Sequence, residues 1–166
     1  MAGRGGRKIH QPNMNVAKIP SPSATPRDFF EITFQAEAGA AYHLWIRGRA
    51  DNDQWSNDSI YVQFDGTITA PGGSPIYRIG TTSSLAWNLE ECSGCGESGW
   101  GWEDNGWGVV NQLGADIYFA QTGSQRLRVQ AREDGVAIDQ IVLSAERYVR
   151  TRPGTAKNDA TILARQ

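Results

Sequence analysis

Phe29-Phe-Glu-Ile-Thr-Phe-Gln-Ala-Glu-Ala-Gly-Ala-Ala-Tyr-His-Leu-Trp-Ile-Arg47 is the stretch whose reading decides the fold. Ile32, Phe34 and Ala36 alternate with Thr33 and Gln35, which is the period-two pattern of a strand with one buried face. Ala38-Gly-Ala makes a turn, and Tyr42, Leu44 and Ile46 then alternate with His43, Trp45 and Arg47. The pair reads as a β-hairpin. Outward from it, Ile60, Val62 and Phe64 form one face of another strand, closed by the turn signal Asp65-Gly66. Weaker strands are expected at Ile76–Ile79, Ala86–Leu89 and Ile117–Ala120. Leu127, Val129 and Ala131 alternate with Arg126, Arg128 and Gln130, and Glu133-Asp-Gly135 turns the chain into Val136–Ser144. No window of about a dozen residues holds a helical period, although Ala145–Arg150 is compatible with one turn. Short strands separated by turns predict an all-β fold, an antiparallel β-sandwich or jelly roll.

The remainder divides into an irregular arm over residues 1–27, a sandwich over 28–152 and a tail over 153–166. Three glycines and then Pro12, Pro20, Pro22 and Pro26 break any periodicity in the arm. In the tail, Thr161-Ile-Leu163 is suited to an added edge strand. At 166 residues the chain has the size of one domain, able to bury roughly 70% of its unfolded surface. Sixteen basic and eighteen acidic residues leave a net charge of −2, so no overall field draws nucleic acid or anionic lipid. No apolar run reaches the length of about 18 residues that spans a bilayer. Met1 leads into glycine and arginine without the apolar core of a signal peptide.

Trp100-Gly-Trp-Glu-Asp-Asn-Gly-Trp-Gly108 places Trp100, Trp102 and Trp107 around Asp104 and Asn105. Its glycines disfavour helix and regular strand, so a loop is expected, holding flat aromatic faces beside planar polar groups. Pyranose rings offer an apolar face to indole and hydroxyls to carboxylates and amides, so this loop is the candidate glycan site, with Trp102 and Trp107 as stacking surfaces. Plugging one end of the β core is the alternative use of the same indoles. Glu133 and Asp134 are added as polar contacts from another loop. Trp55, in a polar loop, has less reason to be core than Trp45, which sits in a strand.

Catalytic devices find few parts. His10 lies in the arm and His43 alternates outward from a strand, where packing or solvent contact is the ordinary use of a histidine. No nucleophile elbow or phosphate loop occurs. The acid pairs Glu90 and Glu91, Glu103 and Asp104, and Glu133 and Asp134 are local neighbours, not carboxylates shown to face each other across a cleft. A non-enzymatic role is therefore expected.

The loop Asp51–Asp58 offers oxygens suited to calcium, among them Asp53 and Asp58, or Asx-turns between strands. Cys92 and Cys95, in Cys-Ser-Gly-Cys, suit a small disulfide in an oxidising compartment. A reduced structural pair is the next alternative, and two cysteines supply only half of a structural zinc site.

The runs Tyr42–Ala50, Asn57-Asp-Ser59, Gly99–Gly108, Arg132–Ser144 and Pro153–Asp159 resemble modules of secreted multidomain bacterial proteins. These are galactose-binding-like β-sandwiches related to carbohydrate-binding modules. Gly135, Asp139, Ile141 and Leu143 are similar to the last core strand of that superfamily. The resemblance covers about residues 28–163. It implies a jelly roll, a secreted or cell-surface location, a glycan or polysaccharide partner, and a structural calcium near the first and last strands, with Asp139 either a ligand of that calcium or the cap of a loop. Relatives usually carry a further apolar strand before the region of Gly5, and its lack leaves an unpaired edge. The arm is expected to fill that edge in its own domain or in a neighbouring copy, as in strand addition. A self-assembling or fibre-forming subunit is accordingly the second function expected.

Overall fold

A computed structural model of the chain describes residues 8–89, 98–105 and 113–154. The strands are β1 (Ile9–His10), β2 (Phe29–Ala36), β3 (His43–Ala50), β4 (Ser59–Phe64), β5 (Thr67–Ile68), β6 (Leu85–Asn88), β7 (Gly101–Glu103), β8 (Tyr118–Phe119), β9 (Gly123–Ala131) and β10 (Val136–Ser144). They form two four-stranded sheets, ordered β1-β10-β3-β7 and β2-β9-β4-β6, with β5 and β8 as a separate pair. Every strand pairing is antiparallel. The all-β sandwich is thus the observed architecture.

Alternation explains the packing. Phe34 and Ala36, Leu44 and Ile46, Ile60, Val62 and Phe64, Leu127 and Val129, and Ile141 meet in one buried cluster drawn from both sheets. Phe119 sits inside it with the rings of Phe34, Tyr42 and Phe64 edge-on at 5.5, 5.5 and 5.8 Å, a favoured aromatic geometry. Trp87 of β6 reaches across to β3, where a Cβ on Gly48 would lie 2.5 Å from the indole edge. Only glycine allows the two sheets to approach there.

The expected hairpin does not form. Its two strands exist, but β2 pairs with β9 and β3 pairs with β10 and β7, in opposite sheets. Alternation specifies which face of a strand is buried and leaves its partner open. Ile76–Ile79 is not a strand; Arg78 makes only an isolated bridge to Phe64. Residues 145–150 form turns and bends, not a helical turn.

In β10 the inward residues shift from even to odd numbers, from Val136 and Ile138 to Ile141 and Leu143. The pairing register skips Asp139 between Ile138↔Gly48 and Gln140↔Arg47. A β-bulge of this kind re-aims the extra side chain.

The described part of the arm, from Lys8, lies on its own sandwich. Ile9 and His10 pair with Ile138 and Ala137, so the edge of β10 is occupied within the chain. Gln11 exchanges backbone hydrogen bonds with Val136 and Gly135, and the Ile19 N–H donates to Arg132 O. Side chains fasten the rest. One Asp134 oxygen accepts the N–H groups of Met14 and Val16 at 2.6 and 3.1 Å, and Gln130 bonds both backbone groups of Ser23.

Candidate functional site

The tryptophan-rich segment is not a single loop. Trp102 lies in β7, paired directly opposite Arg47 of β3, with Gly101 opposite Gly48. The expectation that the glycines exclude a strand is corrected here: a three-residue edge strand needs only one packed side chain, and Trp102 supplies it. That indole is 6% exposed and packs against Trp45 and Val142 on the outer face of the sheet, with Leu113 and Tyr148 over it. Its N–H donates to Gly154 O at 3.1 Å, as the Trp45 N–H does to Tyr148 O at 2.7 Å. Trp102 therefore presents no stacking face to solvent.

Asp104 is likewise interior. It meets His43 with an Nε2–Oδ2 distance of 2.6 Å and accepts the Gly114 N–H at 2.9 Å. His43 is fully buried and its Nδ1 lies 3.8 Å from Asp116. This imidazole between two carboxylates ties the segment around Asp104 to the start of β3. The Asn105 amide donates to Ala115 O at 3.3 Å. Trp107, with Cys92 and Cys95, lies outside the described residues.

Glu133 and Asp134 are buried and serve the chain itself. Glu133 accepts the Ser59 hydroxyl and pairs with Lys18 of the arm at 3.4 Å, while Asp134 caps Met14 and Val16. The sequence cannot display this use, because their partners, a β4 hydroxyl and groups of the arm, are far away along the chain.

The three candidate metal ligands are dispersed among different partners. Asp53 accepts the Gly99 N–H at 2.7 Å and the Ser98 hydroxyl at 3.0 Å. Asp58 accepts the Asn88 amide at 3.0 Å, and Asp139 accepts Arg47 at 2.9 Å. Calcium needs six to eight converging oxygens, and among the described residues no three His, Cys, Asp or Glu side chains gather around a point. Asp53, Asp58 and Asp139 are thus each engaged by a different partner.

The open aromatic surface lies at the other end of β3. Residues 52–56 form an exposed knob between β3 and β4, carrying Asn52, Asp53, Gln54, Trp55 and Ser56. Trp55 is 60% exposed. Asn52 and Asp53 both take left-handed backbone angles, φ 61° and 48°, a conformation that Asn and Asp tolerate better than most residues. The Asp53 carboxylate clamps this knob to Ser98–Gly99, next to Trp100. Those two hydrogen bonds hold the Asp53 carboxyl below its ordinary pKa: first the Gly99 N–H, then the Ser98 hydroxyl.

Trp100 is half-buried, with the guanidiniums of Arg47 and Arg49 5.4 and 5.7 Å from its ring centroid, within cation–π range. Among the described residues, neither the Trp55 nor the Trp100 indole N–H has a hydrogen-bond partner, unlike those of Trp45, Trp87 and Trp102. The exposure of Trp55 agrees with its polar sequence context. The two arginines were not legible as site residues, since in sequence they are only the outward positions of a strand.

The knob abuts the arm. Asp51 accepts from His10 at 2.9 Å and from the Asn13 N–H at 3.4 Å, with Arg49 at 3.6 Å. Burial works to raise the Asp51 pKa, but the His10 hydrogen bond and charge, Asn13 and Arg49 outweigh it and hold the carboxyl below the ordinary value. Gly135, at φ 88°, closes the same corner, where a Cβ would meet Asn57 at 2.7 Å and Asn13 at 3.3 Å. No protein-family model matches the chain, and no significant match to a curated protein is found.

Proposed function

We propose that the chain is a non-catalytic, extracellular carbohydrate-binding module that holds a glycan on the Trp55 knob and the neighbouring Trp100. The observation that carries this reading is the exposed Trp55 indole on a turn clamped through Asp53. An exposed apolar ring with a free N–H, set among Asn52, Gln54 and Ser56, matches a sugar's apolar face and its ring of hydroxyls. Each exposed polar contact nets only about 1 kcal/mol, so affinity is modest and suits a module that gains avidity by tethering.

The reading keeps the sugar chemistry expected from the tryptophan segment and moves its centre from Trp102 to Trp55. A self-assembling subunit built by strand addition of the arm is the competing role. It requires β1 and the Asp134 cap to leave their own sandwich, and the glycan reading is preferred for that reason. A glycan-array screen tests the proposal: wild type binds a set of oligosaccharides, and the folded double variant Trp55→Ala, Trp100→Ala loses them. No binding by folded wild type, or full binding by the double variant, overturns it.

A further inference from the structure

The side of the sandwich between edge strands β1 and β2 is left open. A cleft of about 390 Å³ runs between the sheets there, lined by Ile9, Phe30, Ile60, Val129, Val136 and Ile138. It is larger than the small voids of a close-packed core. It also explains why Phe30, which points inward with Phe34, is only half-buried. Of the six large apolar side chains exposed among the described residues, Ile9 and Phe29 line this cleft, while Met14, Val16 and Ile19 lie further along the arm. The sixth is Trp55.

At the mouth of the cleft stand Arg27 and Asp28. Both are exposed, and among the described residues neither side chain has an ion-pair or hydrogen-bond partner. Nearby charges are already matched: Arg128 with Glu31 at 2.7 Å, and His10 with Asp51 at 2.9 Å. A cation and an anion on adjacent residues make a self-complementary pair. In a two-fold contact, residue i meets j and j meets i, so an axis passing beside these two residues would set Arg27 of one copy against Asp28 of the other, twice.

We propose that this arm side is a homodimer interface, in which a second copy of the chain covers the cleft through reciprocal Arg27–Asp28 pairs flanked by Ile9 and Phe29. It is independent of the glycan reading, because the Trp55 knob contributes none of the lining residues. The apolar cleft supplies the desolvated centre and the charge pairs supply the rim and the register.

Sedimentation velocity on the full chain over a wide dilution series tests it. Wild type runs as a dimer that dissociates on dilution. Arg27→Asp and Asp28→Arg each place like charges opposite one another and raise the dimer dissociation constant about tenfold or more. Combining Arg27→Asp with Asp28→Arg restores opposite charges and recovers most of the wild-type affinity. Both substitutions are on exposed side chains, and circular dichroism checks that each of the three variants is folded. A wild type that stays monomeric at every concentration overturns the proposal, including the case in which the monomer takes up an apolar dye and the cleft is a small-molecule site. A dimer unchanged by either single substitution, or not recovered by the double one, overturns it equally.

Discussion

The two ends of the segment from Trp100 to Asp104 each carry a tryptophan and have opposite surroundings. At the Trp102–Asp104 end the chain is closed. Trp102 is packed under Tyr148, its N–H is satisfied, and Asp104 is paired with a fully buried histidine. At the Trp100 end it is open, with a half-buried ring, an unpartnered N–H, two guanidiniums nearby and the exposed Trp55 across the Asp53 clamp. The difference does not come from the tryptophans. It comes from what faces them: β3 and the 148–154 segment at the closed end, and a solvent-exposed turn at the open end.

The strongest way to break this contrast is to open the closed end. Trp102→Ala empties an indole-sized space against Trp45 and Val142 and costs about 3–5 kcal/mol, whereas Trp100→Ala is expected to cost distinctly less. Thermal or denaturant unfolding should show that loss directly. Asp104→Ala leaves a buried His43 nitrogen without its hydrogen-bond partner, and an unsatisfied buried polar group costs about 1–3 kcal/mol by the same measurement.

Asp134→Ala should have an intermediate effect. It removes a charged acceptor from two arm N–H groups, worth about 1.5–3 kcal/mol, and exposes residues 8–19 to limited proteolysis while the sandwich persists. Acid offers a gentler version. Because folding lowers the Asp51 pKa, its stabilisation is complete above the unfolded carboxylate value of about 3.9 and is lost as pH falls through the lower folded value. Pepsin cleavage of the arm should therefore accelerate in strong acid, and Asp51→Asn should remove much of that pH dependence. The smallest effect on stability belongs to Trp55→Ala, within about 0.5 kcal/mol as for other surface substitutions. Its effect on glycan binding should be the largest of the set.

Much of the sandwich was legible in the sequence. Val136–Ser144 coincides with β10, and the alternation at Phe29–Ala36 and Ile60–Phe64 located β2 and β4 with their buried faces. Pairing was not legible, since a strand's period says which side is apolar and nothing about its neighbour; β2 and β3 therefore looked like a hairpin. β7 was hidden because Gly101 and Gly48 face each other and leave Trp102 as the only packed side chain. β1 was hidden because two residues carry no period.

The candidate site was legible only in kind. An aromatic, amide-rich chemistry was visible at Trp100–Trp107, but burial depends on tertiary neighbours, and the most exposed described indole proved to be Trp55 in a different turn. Glu133 and Asp134 resembled surface ligands because their real partners, Ser59 and Lys18 for the first and the Met14 and Val16 N–H groups for the second, are far away along the chain and leave no local trace.

The most direct test of the open-end account is the indole region of a ¹⁵N–¹H spectrum, recorded while a panel of neutral and acidic oligosaccharides is added. The account predicts that a binding oligosaccharide shifts the Trp55 and Trp100 Nε1–H signals and leaves those of Trp45, Trp87 and Trp102 in place. Shifts that begin at Trp102, or a panel that moves none of the five, would contradict it.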